Sequence, residues 1–195
     1  MKNLILIFLT ISATAMAQDS TDYYYKIPEY PNSYNEGTVA ARVVDGLGFR
    51  YYWGTVGLRT EDLSYKPSEE ARTSEETLDH IYGLTRILAN ATKKLPNDFT
   101  KEEEENLTWE EKRTQTLLFI QEASIILRSS TAADLETYKM IFISDRGTSE
   151  YPFWNLLNGP ISDAVWHVGQ IVSFRRASGN PFNSNVSVLR GRLRD

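Results

Sequence analysis

Ile161-Ser-Asp-Ala-Val-Trp-His-Val-Gly-Gln-Ile-Val-Ser-Phe174 is the stretch on which the reading of the fold turns. At helical spacing Asp163, His167, Gln170 and Phe174 fall on one stripe, at i, i+4, i+7 and i+11. Ile161, Val165, Val168, Ile171 and Val172 flank that stripe. A core stripe would not place Asp, His and Gln in successive positions, and a solvent-facing stripe would lack the apolar flanks. The polar groups are therefore expected to line a cavity between packed helices. Helical bundles build metal sites in this way, from side chains on facing helices.

Working outward, this last helix is predicted over 152–178. It starts at Pro152, a favourable first position, and Pro160 bends it because the ring obstructs the carbonyl one turn back. Gly179-Asn180-Pro181 is its stop signal. A first helix is expected over 37–58, with Val43, Val44, Leu47, Tyr51, Gly54 and Leu58 on one side. Its several glycines weaken helix propensity, so close approach of another backbone is expected to hold it. The second helix begins at a capping box formed by Thr73 and Glu76 and runs to about Lys93, with Thr77, Ile81, Leu84, Ile87, Leu88 and His80 on one face. The third begins at a matching box, Thr108 and Glu111, and runs to about Ser129. Between the third and fourth helices, Leu135 to Lys139 suggests a turn or two of helix and Met140-Ile-Phe-Ile143 looks extended. Asp145-Arg-Gly147 is a turn signal. Strands at regular spacing are absent from this pattern, so the expected class is all-α, a four-helix bundle over 37–182.

The segments outside the bundle are predicted as follows. Lys2, the apolar run Leu4 to Ile11 and Ala15-Met16-Ala17 have the form of a signal peptide over 1–17, which predicts export to the periplasm or medium. The apolar run is too short to span a bilayer, so no stable membrane insertion is expected. Residues 18–36 are rich in Tyr, Pro, Asn and Ser and read as an irregular arm, on the surface or partly packed through its tyrosines. Residues 183–195, with Arg190, Arg192 and Arg194, read as a solvated tail.

Composition narrows the chemistry. The chain has 195 residues, no cysteine and a formal charge of −5. Zero cysteines excludes disulfides, thiolate ligands and a cysteine nucleophile. An acidic balance without a basic stripe argues against nucleic acid as a partner. No nucleophile elbow, Walker-type loop or dinucleotide fingerprint is present, and Gly46-Leu-Gly48 lacks the third glycine of the last.

The chain has two histidines, His80 and His167. His80, Asp163 and His167 together form a candidate two-histidine, one-carboxylate site for a divalent ion, Zn, Ni, Fe or Mn. Gln170 and Arg50 are the candidates to orient a bound group in catalysis, with Trp53 a neighbour on the Arg50 helix. Asp79 points about a quarter-turn away from His80, and Asp45 reads as a solvated or hydrogen-bonded carboxylate. The competing reading is a non-catalytic exported bundle that binds a small ligand or partner. In that reading the two histidines and Asp163 form an internal hydrogen-bond network, the relic of a metal site.

The order and spacing of several stretches resemble the DinB-like superfamily of small four-helix proteins regarded as metalloenzymes. The stretches are Gly48-Phe-Arg-Tyr-Tyr-Trp-Gly54 with Leu58-Arg-Thr-Glu-Asp-Leu63, then 73–84 around His80, and His167-Val-Gly-Gln-Ile171 through Arg175-Arg-Ala-Ser-Gly179. The resemblance covers about 41–181. It implies a divalent metal held by one histidine on the second helix and two histidines, four apart, on the last. His80 and His167 match the first and third of these positions, while Asp163 stands where the family has histidine. It further implies a metal that activates water or a substrate heteroatom, a small-molecule substrate, and a homodimer formed through bundle faces.

Overall fold

The computed structural model of the protein describes residues 23–101 and 106–195. The signal peptide expected over 1–17, the start of the arm and the acidic run at 102–105 lie outside those residues. Four long helices dominate: α1 (Glu36–Thr55), α3 (Ser74–Thr92), α4 (Trp109–Arg128) and α7 (Ser162–Ala177). Three short helices join them, α2 (Thr60–Leu63), α5 (Ala132–Thr137) and α6 (Phe153–Leu156). The strands are β1 (Asn97–Asp98), β2 (Met140–Ser144), β3 (Gly147–Tyr151), β4 (Val186–Ser187) and β5 (Arg192–Leu193).

Local chemistry sets where the long helices start. Thr73 and Glu76 exchange hydrogen bonds across the first turn of α3, as do Thr108 and Glu111 for α4, both as the sequence predicts. Asn35 and Thr38 do the same for α1. Thr131 and Asp134 cap α5, a box of the same form. α1 packs on α4 and α7, and α3 packs on the same two helices, so the four close a ring. Inside it Leu47, Tyr51, Ile81, Leu117, Ile120 and Ile171 are at most 1% exposed. Each such side chain contributes roughly 1.5–3 kcal/mol on burial.

α1 ends earlier than expected. Val56 is extended and Gly57 turns at φ +71, so Leu58 lies beyond the helix. Val43 is also not on the inner face. It is 49% exposed, because the buried row runs through Ala40, Val44, Leu47 and Tyr51, about 100° away. The glycines do allow close approach. Gly37 sits against the backbone at the end of α4, and Gly48 lies under the ring of Tyr24.

The chain is mainly helical, and the all-α expectation needs correction. β2 and β3 form a hairpin with Met140 opposite Tyr151 and Ser144 opposite Gly147, and β1 adds in parallel on the other side of β2. Buried Asn97 holds that parallel join, its Nδ2 donating to Ile141 O at 3.2 Å while its Oδ1 accepts from Asn90 at 3.0 Å. The run at 140–143 has the β-branched and aromatic residues of a strand, and the turn at Asp145-Arg146 lets it fold back.

The tail is likewise not a free solvated segment. Val186 and Ser187 are buried in an antiparallel ribbon with Leu193 and Arg192. The arm packs through Tyr23 and Tyr24, while Tyr30 and Tyr34 are exposed. Tyr24 is fully buried, its hydroxyl donating to Asp45 at 3.2 Å, and Tyr25 O accepts the Trp53 indole N–H at 3.1 Å. Asp45 is itself buried, gripped by Ser124 at 2.5 Å and Arg128 at 2.6 Å. Burial and the Asp45 carboxylate push the Tyr24 phenol well above its ordinary pKa. Among the described residues no helix is long and apolar enough to cross a membrane.

The final helix is interrupted near its start. Pro152 caps α6 and the helix begins one residue later than expected. Leu157–Ile161 forms a wide π-type turn containing Pro160, with Gly159 out of helical geometry at ψ −107. Proline has no amide hydrogen to donate, and beyond it Leu157 O accepts both the backbone N–H of Ser162 and its hydroxyl, the latter at 2.7 Å. From Ser162 onward α7 is regular and carries its polar stripe along α3.

Candidate metal centre

α7 buries one row, Ala164, Val168, Ile171 and Arg175, and the neighbouring row carries Asp163, His167 and Gln170. The Asp-His-Gln stripe is thus beside the core contact rather than on it. His80 projects from α3 to meet it. Side-chain exposure is 36% for His80, 35% for Asp163 and 16% for His167. The cluster is therefore a half-open edge between two helices, not the lining of an internal cavity, because α7 is rotated so that its small apolar row takes the core.

His80, Asp163 and His167 do converge. One ligand atom from each lies within 4.8 Å of the others, a grouping able to hold a metal ion. His80 Nε2 lies 3.3 Å from Asp163 Oδ2, and His167 Nε2 lies 3.3 Å from Asp163 Oδ1. The two imidazoles meet edge to face with ring centroids 4.8 Å apart. Neighbouring ligands around a tetrahedral ion bound at about 2.0–2.1 Å stand roughly 3.3–3.4 Å apart. Each nitrogen–oxygen separation has that length, the two imidazoles facing opposite oxygens of the carboxylate.

Gln170 belongs to the cluster through His167, its Oε1 lying 2.7 Å from His167 Nδ1. An amide oxygen only accepts, so Nδ1 carries the hydrogen and Nε2 is the nitrogen turned to Asp163. On a neutral ring that Nε2 is a lone pair aimed at a carboxylate oxygen. Two acceptors so placed repel unless a proton or a cation lies between them.

The other sequence candidates are placed differently. Arg50 folds back along its own helix, Nη1 donating to Gly46 O at 2.8 Å, and burial lowers its pKa. Trp53 faces the N-terminal arm, its ring tilted against that of Tyr25. Asp79 turns outward to Lys112 at 2.7 Å. The Tyr65 ring packs tilted against Phe174, centroids 5.8 Å apart, one turn beyond Gln170.

Sequence reasoning missed a second polar cluster at the far end of α7. Asp62 is completely buried and accepts from Arg59 Nε and Nη2, Ser178 Oγ and Asn180 Nδ2, at 3.0, 2.9, 2.5 and 2.6 Å. Arg59 holds its carboxyl far below the usual carboxylate range, with Ser178 and Asn180 adding to the effect and burial opposing it. Beside it, buried Arg175 Nη1 donates to Trp53 O, Gly54 O and Val56 O, carbonyls that the end of α1 leaves without amide partners. The signal was available in Arg59, Asp62, Arg175 and Gly179, which lie in the stretches that resemble the DinB-like pattern. Here those residues bolt α1, α2 and α7 together.

No family model matches the chain, and no curated protein matches it. Among solved structures it is similar to a DinB-like protein, YjoA, from Bacillus subtilis. That similarity has a TM-score of 0.48 at 16% identity, over 90% of this chain and 100% of the other.

Proposed function

We propose that the chain is an exported, divalent-metal-dependent enzyme of the DinB-like superfamily, a four-helix bundle that acts on a small-molecule substrate. His80, Asp163 and His167 would hold the ion. The observation that carries this reading is the face-to-face placement of His167 Nε2 and Asp163 Oδ1 while Gln170 occupies Nδ1. That geometry calls for positive charge between the two, and a second imidazole stands in reach of the same carboxylate. The donor set of two nitrogens and one or two oxygens suits Zn, Ni, Fe or Mn. When bound, such an ion supplies Lewis acidity to a water or a substrate heteroatom.

The chain's own residues have separable tasks. Gln170 fixes the His167 tautomer and ring plane, so the binding nitrogen is presented without rotational search. Asp163 offers both oxygens, one toward each imidazole. The half-exposed rim leaves one side of the cluster open to solvent and hence to a substrate. Arg50 enters this reading only if its guanidinium leaves Gly46 O when substrate arrives.

The test is metal content after native purification, with thermal shifts on adding Zn, Ni, Fe or Mn to stripped protein. A ligand selective for the native state raises stability by about 4 kcal/mol at a thousand times its dissociation constant. His167→Ala is expected to abolish metal binding and Asp163→Ala to weaken it severely. Unchanged metal content in both variants overturns the reading. A wild-type protein that neither carries metal nor gains stability from it favours the metal-free network, with a proton on His167 Nε2 instead.

Gln170→Leu gives a finer prediction. Loss of the bond to His167 Nδ1 is expected to lower metal affinity about 10- to 100-fold while leaving the amount bound at saturation unchanged. Titration against a competing chelator measures both quantities.

A further inference from the structure

The arm and the C-terminal ribbon meet in a cleft of roughly 450 Å³ on the surface. Its charged lining is Lys26, Arg42, Arg190 and Arg192 against one carboxylate, Glu29. That is a concentration of positive charge on a chain whose formal charge is −5. Four cations around one hollow repel each other, and local partners neutralise them poorly. Lys26 meets Glu29 at 3.5 Å and Arg190 meets Asp195 at 3.6 Å, both pairs largely exposed and of little energetic weight. The Arg192 guanidinium has no hydrogen-bond or ion-pair partner among the described residues, its main chain alone pairing with Ser187.

The walls are built rather than incidental. Ile27 N–H donates to Gly191 O at 2.8 Å, and Gly191 N–H donates to Ser187 O at 2.8 Å. Gly191 turns at φ +65, and a Cβ there would meet Ile27 at 2.7 Å. Arg42 is held from both sides, Nη1 donating to Pro28 O at 2.8 Å and the guanidinium lying 4.7 Å over the Tyr30 ring. Two fixed segments thus present guanidinium groups, whose planar forks match tetrahedral oxyanions better than isolated ammonium groups do.

We propose that this cleft binds the phosphate group of a small organic phosphate, with Arg42, Arg190 and Arg192 around the anion and Tyr30 and Leu189 against its organic part. The hollow is larger than a bare phosphate ion. Tyr30 and Leu189, 75% and 96% exposed, supply apolar surface at its edge. The site is independent of the metal cluster, since none of its residues contributes there.

Calorimetric titration of the metal-stripped full chain with phenyl phosphate at low, matched ionic strength tests the proposal, with sodium chloride as control. Saturable binding is expected, tighter than for inorganic phosphate. Arg190→Gln with Arg192→Gln is expected to weaken it at least about tenfold, the loss of one or two charge-assisted bonds. Both positions are exposed on the ribbon, and unchanged circular dichroism verifies folding. His167→Ala is expected to bind phenyl phosphate as the wild type does. Absence of saturable binding, or equal affinity in the double variant, overturns the proposal.

Discussion

Asp62→Ala is expected to lower the unfolding free energy by about 3 kcal/mol, measured by urea or thermal denaturation. Removing one partner of a buried ion pair costs about 3–5 kcal/mol, because the groups left behind lose their compensation. Arg59 is 49% exposed and recovers some hydration, which favours the lower end. Ser178 Oγ and Asn180 Nδ2, by contrast, lose an acceptor under cover. The effect has a defined pH dependence. The folded carboxyl ionises far below its unfolded value of about 4, so the unfolded chain takes up the proton first. The contribution is complete above about pH 5 and disappears as acid titrates toward the folded pKa. The wild-type and alanine stability curves should therefore converge on acidification. Parallel curves down to pH 2 would show that Asp62 contributes through shape rather than charge.

Gly37→Ala is expected to destabilise the fold by about 2 kcal/mol or more. In the second helical position of α1, alanine gains at most about 1 kcal/mol of helix propensity over glycine. Against that, its Cβ would overlap the carbonyl oxygens of Leu127 and Ser130. Both are main-chain atoms at the end of α4, so no side chain can swing aside. Overpacking a tight contact costs about 1–3 kcal/mol and sometimes more, so the clash wins. Gly83→Ala is the control. Its Cβ would meet nothing within 4 Å, and the same substitution there should leave stability unchanged or raise it by up to about 1 kcal/mol. Loss of stability of the same size at both positions would remove the close approach as the cause.

Much of this architecture is legible in the chain because its signals are local. Thr73 with Glu76 and Thr108 with Glu111 lie three residues apart, and the boxes form where that spacing puts them. Asp163 and His167 share a face for the same reason, and the meeting with His80 follows once α3 packs on α7. What was illegible depends on distant partners. Asp62 carries no local sign of its burial, because Ser178 and Asn180, which bind it, come 116 and 118 residues later. The strand at 140–144 looks extended, but Gly147–Tyr151 is exposed throughout and lacks an apolar alternation to announce the pairing. The ribbon at the end of the chain is hidden behind its arginines, whose long side chains reach water while Val186 and Ser187 turn inward.

The wide turn at Leu157–Ile161 works as a phase adjuster. Each residue of a helix advances its azimuth by about 100°, and a π-type turn absorbs one residue more than an α turn does. Shortening that coil by a single residue would re-aim everything downstream by more than a quarter revolution. Ala164 and Val168 would swing out of the packed seam, and the acid and imidazole of α7 would address a different neighbour. An apparent irregularity before Ser162 is what aims the following sixteen residues.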